Sequence, residues 1–275
     1  MSVRTQPPEH RIVSVEIEVP GSQEEVWKAV ATGPGISSWF VPTELDGREG
    51  GSLVCRFGPG MESRATITAW EPPHRFAAES ADLGPDAPPL ETEWTVEPDP
   101  DPPEHGALVR VVHRVAAGRR ADWDGILESA EAGWPGWFRI LRLYLTHFRG
   151  QRCTPVALLA TTDASPDTAW EALTAGLGLG GANVGERRSA PEGAPPFAGA
   201  VVATGESPFP HHLLLLLDEP ARGIASLGAQ SMGGQTTVPV HLYLYGDEGA
   251  RAAGEEPAWR RWLDERLAAA RPGGG

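Results

Sequence analysis

A strand followed by a capped helix occurs twice in this chain, and the two copies lie 143 residues apart. The first helical segment is GSQEEVWKAV, residues 21–30, and the second is ASPDTAWEAL, residues 164–173. Each follows a strand-like run, IVSVEIEV at 12–19 and PVALLATT at 155–162. The repetition predicts a chain built from two related units, and the alternative is a chance likeness between two α+β halves.

Both helices carry local signals for where they begin. Ser22 is a good N-cap, and Glu25 three residues later completes a capping box. In the second copy, Asp163 or Ser165 can cap the helix, and Pro166 suits its first position. The two segments are therefore predicted to be helices for the same physical reason.

The rest of the first half reads as a sheet closed by a long helix. After a second short helix at 35–40, strand patterns separated by Gly- and Pro-rich turns occur at 53–57, 64–70, 75–80, 92–96 and 108–115. From 134 to 148, apolar residues recur at helical spacing. Pro135 interrupts that helix and predicts a kink or a new helix start. This order predicts an α+β layout with the helices on one side of an antiparallel sheet.

The second half repeats the order in a shorter form. Strand patterns fit 155–162, 198–204, 211–218, 223–227 and 236–245, a helix fits 257–270, and 176–196 reads as loop. We therefore predict two domains, residues 1–150 and residues 151–275, the second being a degenerate copy of the first.

Composition and charge exclude several classes of partner. The chain has 23 basic and 37 acidic residues, a net charge of −14, and both halves are acidic. With no basic stripe to neutralise phosphates, we expect neither nucleic acid nor an anionic membrane as partner. No segment approaches the roughly 18 apolar residues that a membrane-spanning helix needs. The N-terminal residues lack the apolar region of a secretory signal, so we expect a cytoplasmic protein.

Two further features of the composition bear on source and redox state. Cys55 and Cys153 form no CxxC pair and are predicted to be reduced thiols. Lys28 is the single lysine, and the chain has 33 glycines and 27 prolines. That coding bias favours a bacterial source.

Short motifs occur in a set order along residues 12–149. They are Val26-Trp27 in the first helix, Ile36 to Phe40 with its tryptophan, Asp46-Gly47-Arg48-Glu49-Gly50-Gly51 before a strand, Trp70-Glu71-Pro72 at a strand end, His113 late in the last strand and Gly133-Trp134-Pro135 in the closing helix. In this order and spacing they resemble the START-like helix-grip superfamily (SRPBCC domains). Within it, the resemblance is to the branch named after activators of the heat-shock chaperone ATPase.

The resemblance implies a fold and a kind of site. The fold is a curved antiparallel sheet wrapped around a long C-terminal helix, which the repeat predicts twice, and the two layers enclose an apolar cavity. Members of the superfamily bind hydrophobic small molecules, some catalyse cyclisation or dehydration, and some contact chaperones. The residues expected to line a ligand cavity in the first domain are Trp39, Phe40, Trp94, His113, Trp134, Trp137, Phe138 and Leu141.

Each of these residues also has an ordinary structural interpretation. His113 shares a strand face with Val109, Val111 and Val115, so it is either a core histidine with its hydrogen bonds satisfied or a cavity residue that orients a ligand. For each tryptophan, core packing competes with a role as the aromatic wall of a pocket.

No pattern supports a cofactor, a metal or a catalytic pair. Gly176 to Gly181, GLGLGG, follows a helix and opens none, so it is not a dinucleotide-binding loop. His211 and His212 are adjacent on a strand and point to opposite faces, so they cannot share a metal from there. Arg56, Arg110, Glu62 and Glu93 are expected to face solvent, and no carboxylate pair suits acid–base work.

Three functions remain from the sequence. The first is binding of a hydrophobic small molecule without catalysis, the second domain being structural or controlling access. The second is an enzyme of the polyketide cyclase or aromatase kind, for which His113 is the candidate acid or donor. The third is a chaperone ATPase cofactor with a chaperone or regulator protein as partner. The sequence determines neither the ligand nor the oligomeric state.

Overall fold

The computed structural model divides the chain into two compact units, Met1–Gly150 and Gln151–Gly275. It describes residues 10–58, 60–80, 89–99, 106–116 and 122–270. Each unit contains an antiparallel sheet and helices, so the fold class is α+β and the helix-grip arrangement is present twice.

In its described residues, the first unit has a seven-stranded sheet and three helices. Its elements are β1 (His10–Pro20), α1 (Gln23–Val30), α2 (Gly33–Ile36), β2 (Thr43–Leu45), β3 (Ser52–Gly58), β4 (Met61–Glu71), β5 (Arg75–Ser80), β6 (Leu90–Pro98), β7 (Gly106–Ala116) and α3 (Asp122–His147). The strand order is β1-β7-β6-β5-β4-β3-β2, so the first strand pairs with the last. All five predicted strand patterns after the helices are strands in the structure.

Two short elements differ from the sequence-based expectation. The short helix predicted at 35–40 is Gly33–Ile36, because the hydroxyl of Thr32 accepts a hydrogen bond from the Gly35 N–H at 3.0 Å and starts the helix earlier. Strand β2 was not predicted, since three residues are too few to establish an alternation.

Helix α3 runs unbroken through Pro135, so the new helix start that the proline predicted does not occur. Pro135 removes the hydrogen bond to the carbonyl four residues earlier, which belongs to Glu131. Both residues are exposed, so water can solvate that carbonyl while the buried side of the helix continues.

Among the described residues, no helix is long and apolar enough to cross a membrane.

The second unit repeats the arrangement with shorter elements. They are β8 (Cys153–Thr162), α4 (Pro166–Gly176), β9 (Arg187–Ser189), β10 (Ala198–Thr204), β11 (His212–Glu219), β12 (Gly223–Gly228), β13 (Gln230–Met232), β14 (Gln235–Tyr245), α5 (Gly246–Ala252) and α6 (Glu256–Ala269). Strands β12 and β13 pair with one side of β14, and β8 pairs with the other. First strand and last strand therefore pair in both units, as a repeat requires. Strands β9 and β13 and helix α5 were not predicted.

The two caps behave as the sequence predicts. Ser22 Oγ accepts from the Glu25 N–H at 3.4 Å, and Glu25 Oε2 accepts from the Ser22 N–H at 2.9 Å, which completes the capping box. In the second unit the cap is Ser165, whose Oγ accepts from the Thr168 N–H at 3.1 Å. Each serine satisfies an amide that has no partner within its helix.

We expect Ser22→Ala to destabilise α1 by about 1 kcal/mol, the usual loss for an N-cap serine. Ser165→Ala is expected to do the same to α4. Hydrogen exchange of peptides covering 23–30 and 166–176 measures the two helices separately, so each variant is the control for the other. Equal loss of protection in both peptides from one substitution would contradict a local capping role.

Charged residues of the first unit lie on the outer face of its sheet. Arg56 pairs with Glu44 at 3.0 Å and with Glu62 at 3.2 Å. Glu93 accepts from two arginines, Arg75 at 2.7 Å and Arg114 at 2.9 Å, which hold the pKa of its carboxyl below the usual value although burial opposes them. The inner face is left to apolar and small polar side chains.

Candidate functional site

A row of aromatic residues crosses the inner face of the first sheet. Trp70 of β4 lies opposite Phe76 of β5, and Phe76 lies opposite Trp94 of β6. The rings of Phe76 and Trp94 are stacked, with centroids 6.2 Å apart and planes at 9°. Trp27 of α1 packs edge-on against Trp70 at 5.3 Å. These four aromatic side chains therefore pack in a row at one end of the region between the sheet and the helices.

Trp39 closes the same end from the segment after α2. It is 1% exposed, and its indole Nε1–H donates to the carbonyl of Ala29 at 3.0 Å. Its ring packs edge-on against Trp94 at 6.1 Å and against Phe40 at 5.6 Å. Trp39 is therefore a core anchor that ties α1 to the sheet.

The next rows along the inner face carry several small side chains beside larger ones, since Ile67 of β4 lies opposite Ala78 and Leu90 of β6 lies opposite Ser80. Ala78 of β5 lies opposite Thr92 of β6, and Thr92 lies opposite His113 of β7. One row further, Ala65 of β4 lies opposite Ser80. Several described side chains of these rows are smaller than the tryptophan and phenylalanine of the neighbouring row.

Aromatic rings face these small residues from the helical side. Trp134 of α3 contacts both Trp94, at 5.2 Å, and His113, at 5.7 Å, so it stands above the boundary between the two regions. Phe40 stacks on Trp134 at 5.5 Å, and Trp137 packs edge-on against Phe40 at 4.6 Å. The rings therefore continue from the closed aromatic end over the small side chains.

Large apolar side chains near the tip of the β3–β4 hairpin are exposed to solvent. Phe57 packs against Phe40 at 5.7 Å and remains 38% exposed, while Met61 is 41% exposed. Phe40 and Trp137 are half-buried. Exposed large apolar side chains that continue a buried aromatic cluster are typical of the entrance to a ligand site.

His113 is held by protein on both ring nitrogens. Its Nε2 accepts from the indole Nε1–H of Trp134 at 2.7 Å, and its Nδ1 lies 3.0 Å from Thr92 Oγ1. Burial lowers the pKa of the imidazole from 6.5 to about 4, so the ring is neutral at pH 7. Of the two interpretations open from the sequence, the structure supports a core histidine with both hydrogen bonds made.

The structure brings seven of the eight predicted residues into one cluster of ring contacts. They are Trp39, Phe40, Trp94, His113, Trp134, Trp137 and Phe138. The eighth, Leu141, is fully buried on α3 one turn after Phe138. The prediction missed Thr92, Phe57 and Met61. Thr92 is two residues before Trp94 on the same strand, so the alternation of the strand places both on one face and could have identified Thr92. The exposure of Phe57 and Met61 depends on the geometry of the β3–β4 hairpin, which the sequence does not show.

Among the residues that the structure describes, the site contains no charged side chain. Cys55 is a free thiol on β3, and burial raises its pKa although Thr43 donates to the sulfur at 3.6 Å. No group of three or more His, Cys, Asp or Glu in the described part of the chain could hold a metal ion.

The core of the second unit differs from the aromatic cluster of the first unit in the type of side chain that fills it. Its core consists of aliphatic side chains with a few aromatic ones, and examples that are at most 4% exposed are Leu158, Leu213, Leu215, Val240 and Leu263. Trp259 is 2% exposed and packs against Phe197 at 5.9 Å.

A protein-family model described as polyketide cyclase / dehydrase and lipid transport matches residues 10–147, half of the chain. No curated protein matches the chain.

Among solved structures, three illustrate the range of similarity. DynU16, a protein of the dynemicin biosynthetic locus, is 18% identical, with 96% of this chain and 100% of that chain covered and a TM-score of 0.43. The di-domain ARO/CYC BexL from the BE-7585A biosynthetic pathway is 14% identical, with coverages of 94% and 95% and a TM-score of 0.46. Aha1 from Colwellia psychrerythraea, solved as a dimer, is 18% identical, with coverages of 51% and 99% and a TM-score of 0.41. Sequence identities this low carry no argument about the chemistry of this chain.

Proposed function

Because the chain belongs to the polyketide cyclase / dehydrase and lipid transport family, we propose that its first unit binds a planar hydrophobic small molecule between the sheet and α3. One observation carries the proposal. An aromatic cluster that is closed at the Trp39–Trp94 end continues, through Phe40 and Trp137, over small inner-face side chains to an exposed apolar entrance. Flat aromatic walls suit a flat apolar ligand.

The contrast between the two units supports placing the ligand in the first. Ala65, Ala78 and Ser80 are small inner-face side chains of the first unit, whereas the core of the second unit consists mainly of leucine and valine. A ligand could enter a core that is packed with large side chains only by displacing them, which would cost stability. We propose a structural role for the second unit.

Catalysis is the second candidate, because the family description names cyclases and dehydrases. The residue that the sequence offered for it is His113. Its Nε2 is occupied by the Trp134 N–H and its neutral form is favoured by burial, so it could serve as an acid or base only after those contacts break. The geometry therefore favours binding over catalysis at this residue. The chaperone cofactor hypothesis stays untested.

We expect Trp137→Ala to weaken binding of a planar hydrophobic compound about tenfold, the loss typical of one aromatic contact in a binding site. Isothermal titration calorimetry with a panel of naphthalene- and anthracene-sized compounds measures it without relying on fluorescence. The matched control is Trp170→Ala, since Trp170 is also a partly buried helical tryptophan but belongs to the second unit. No saturable binding by any compound, or an equal loss in both variants, would overturn the proposal.

A further inference from the structure

Three side chains from three elements form one chain of hydrogen bonds across the inner face of the first unit. Trp134 on α3 donates from Nε1 to His113 Nε2 at 2.7 Å. His113 on β7 is joined through Nδ1 to Thr92 Oγ1 on β6 at 3.0 Å. Thr92 and His113 are direct cross-strand neighbours, so the register of the sheet holds the second contact in place.

The direction of the protons along this chain follows from its first member. An indole nitrogen can only donate, so His113 Nε2 must accept and carries no proton. A neutral imidazole then has its proton on Nδ1, which donates to Thr92 Oγ1. A second proton on His113 would put two hydrogens into the 2.7 Å between the indole and imidazole nitrogens. Burial of the ring disfavours that charged form as well.

This arrangement of protons determines whether the Thr92 hydroxyl can donate a hydrogen bond. Its oxygen already accepts from His113, so its own hydroxyl proton remains to be donated. Hydrogen bonds in a chain polarise one another, which makes the terminal hydroxyl a better donor than an isolated threonine. Thr92 is half-buried, and its cross-strand neighbour on β5 is the small side chain of Ala78.

The surroundings of Thr92 define the group that would accept this proton. The described inner-face positions of β3 to β7 carry no charged residue, because the arginines and glutamates of these strands pair on the outer face. An anionic carboxylate or phosphate would be buried there without a countercharge, at a high cost in free energy. A neutral carbonyl oxygen accepts a hydrogen bond and needs no countercharge.

We propose that Thr92 is the specificity-determining donor of the site and that the ligand is a planar aromatic compound bearing a carbonyl oxygen. The inference rests on the proposed function, since it assigns a ligand class to the same site. Thr92 binds the oxygen, and Phe40, Trp134 and Trp137 contact the rings.

The test compares two probes of the same shape, 2-acetylnaphthalene and 2-isopropenylnaphthalene, which differ by a carbonyl in place of a terminal CH₂. Their affinities for the full chain are measured by calorimetry. We expect the wild type to prefer the ketone about five- to tenfold, the contribution of one neutral hydrogen bond. Thr92→Val keeps the shape, removes the hydroxyl and is expected to abolish the preference. Thr92→Ser restores the donor and is expected to retain it.

Thr95→Val is the matched control, since Thr95 is on the same strand but out of phase with Thr92. It is expected to leave the preference unchanged. If both probes bind the wild type equally well, the ligand site stands and the role of Thr92 is wrong. If Thr92→Val keeps the preference for the ketone, the role of Thr92 is wrong as well. If neither probe binds, the site and its ligand class both fail.

Discussion

Trp39→Ala is expected to lower the free energy of unfolding of the first unit by about 4 kcal/mol, in the usual range for truncating a buried tryptophan. Trp39 is 1% exposed, and its ring packs against Phe40 and Trp94. The substitution removes these contacts, leaves a cavity at the closed end of the site, and deprives the Ala29 carbonyl of its indole donor.

Hydrogen exchange of the α1 amides and of the α4 amides measures this loss unit by unit. Trp39→Phe separates the two contributions, because it keeps most of the ring and removes only the hydrogen bond and some volume, so it is expected to lose less than half as much. Trp170→Ala serves as the control in the second unit, where the ring is only partly buried. A loss below about 1 kcal/mol in Trp39→Ala would contradict its role as a core anchor.

We expect the first unit to lose about 3 kcal/mol of stability between pH 6.5 and pH 4 through His113 alone, which is the second large effect. Burial lowers the pKa of His113 from 6.5 to about 4 in the folded state. In that window the unfolded chain binds a proton that the folded chain does not, so acid favours unfolding. The contribution is complete above pH 6.5 and is lost as the pH falls to about 4.

Urea unfolding of the wild type and of His113→Gln at pH 7 and pH 4.5 isolates this contribution. The variant is expected to be less stable at pH 7, because Trp134 and Thr92 lose the partner they share, but to lose less stability on acidification. His147→Gln, at the exposed end of α3, is the control for a histidine-to-glutamine exchange outside the hydrogen-bond chain. The same pH slope in His113→Gln as in the wild type would refute this account.

Most of the first unit could be predicted because its signals are local. The alternation at 12–19, the capping box of Ser22 and Glu25, and the helical spacing after residue 134 each depend on neighbours within a few residues. Elements without such signals were missed, among them β2 and β13, which are three residues long. The new helix start that Pro135 allowed does not occur, because the carbonyl that the proline frees lies on the exposed side of the helix.

The clustering of the aromatic residues at the candidate site could be predicted from the sequence but their arrangement could not, and their role in binding a ligand stays a prediction. Seven aromatic or imidazole rings were expected around one cavity, and the structure brings all seven together. Which rings are buried anchors and which remain half-exposed, as Trp39 and Trp137 are, depends on how α3 and the segment after α2 approach the sheet.

The sequence by itself determined that this chain is built twice from a strand, a capped helix, a meander and a closing helix, because those features follow from periodicity and capping within short segments. Tertiary structure alone decided what His113 and Thr92 do. His113 could equally have faced a ligand until the β6–β7 register set Thr92 beside its Nδ1 and the rotation of α3 brought the Trp134 indole to its Nε2. A hydrogen bond is directional and short-ranged, so a proton's position depends on contacts between residues far apart in the chain.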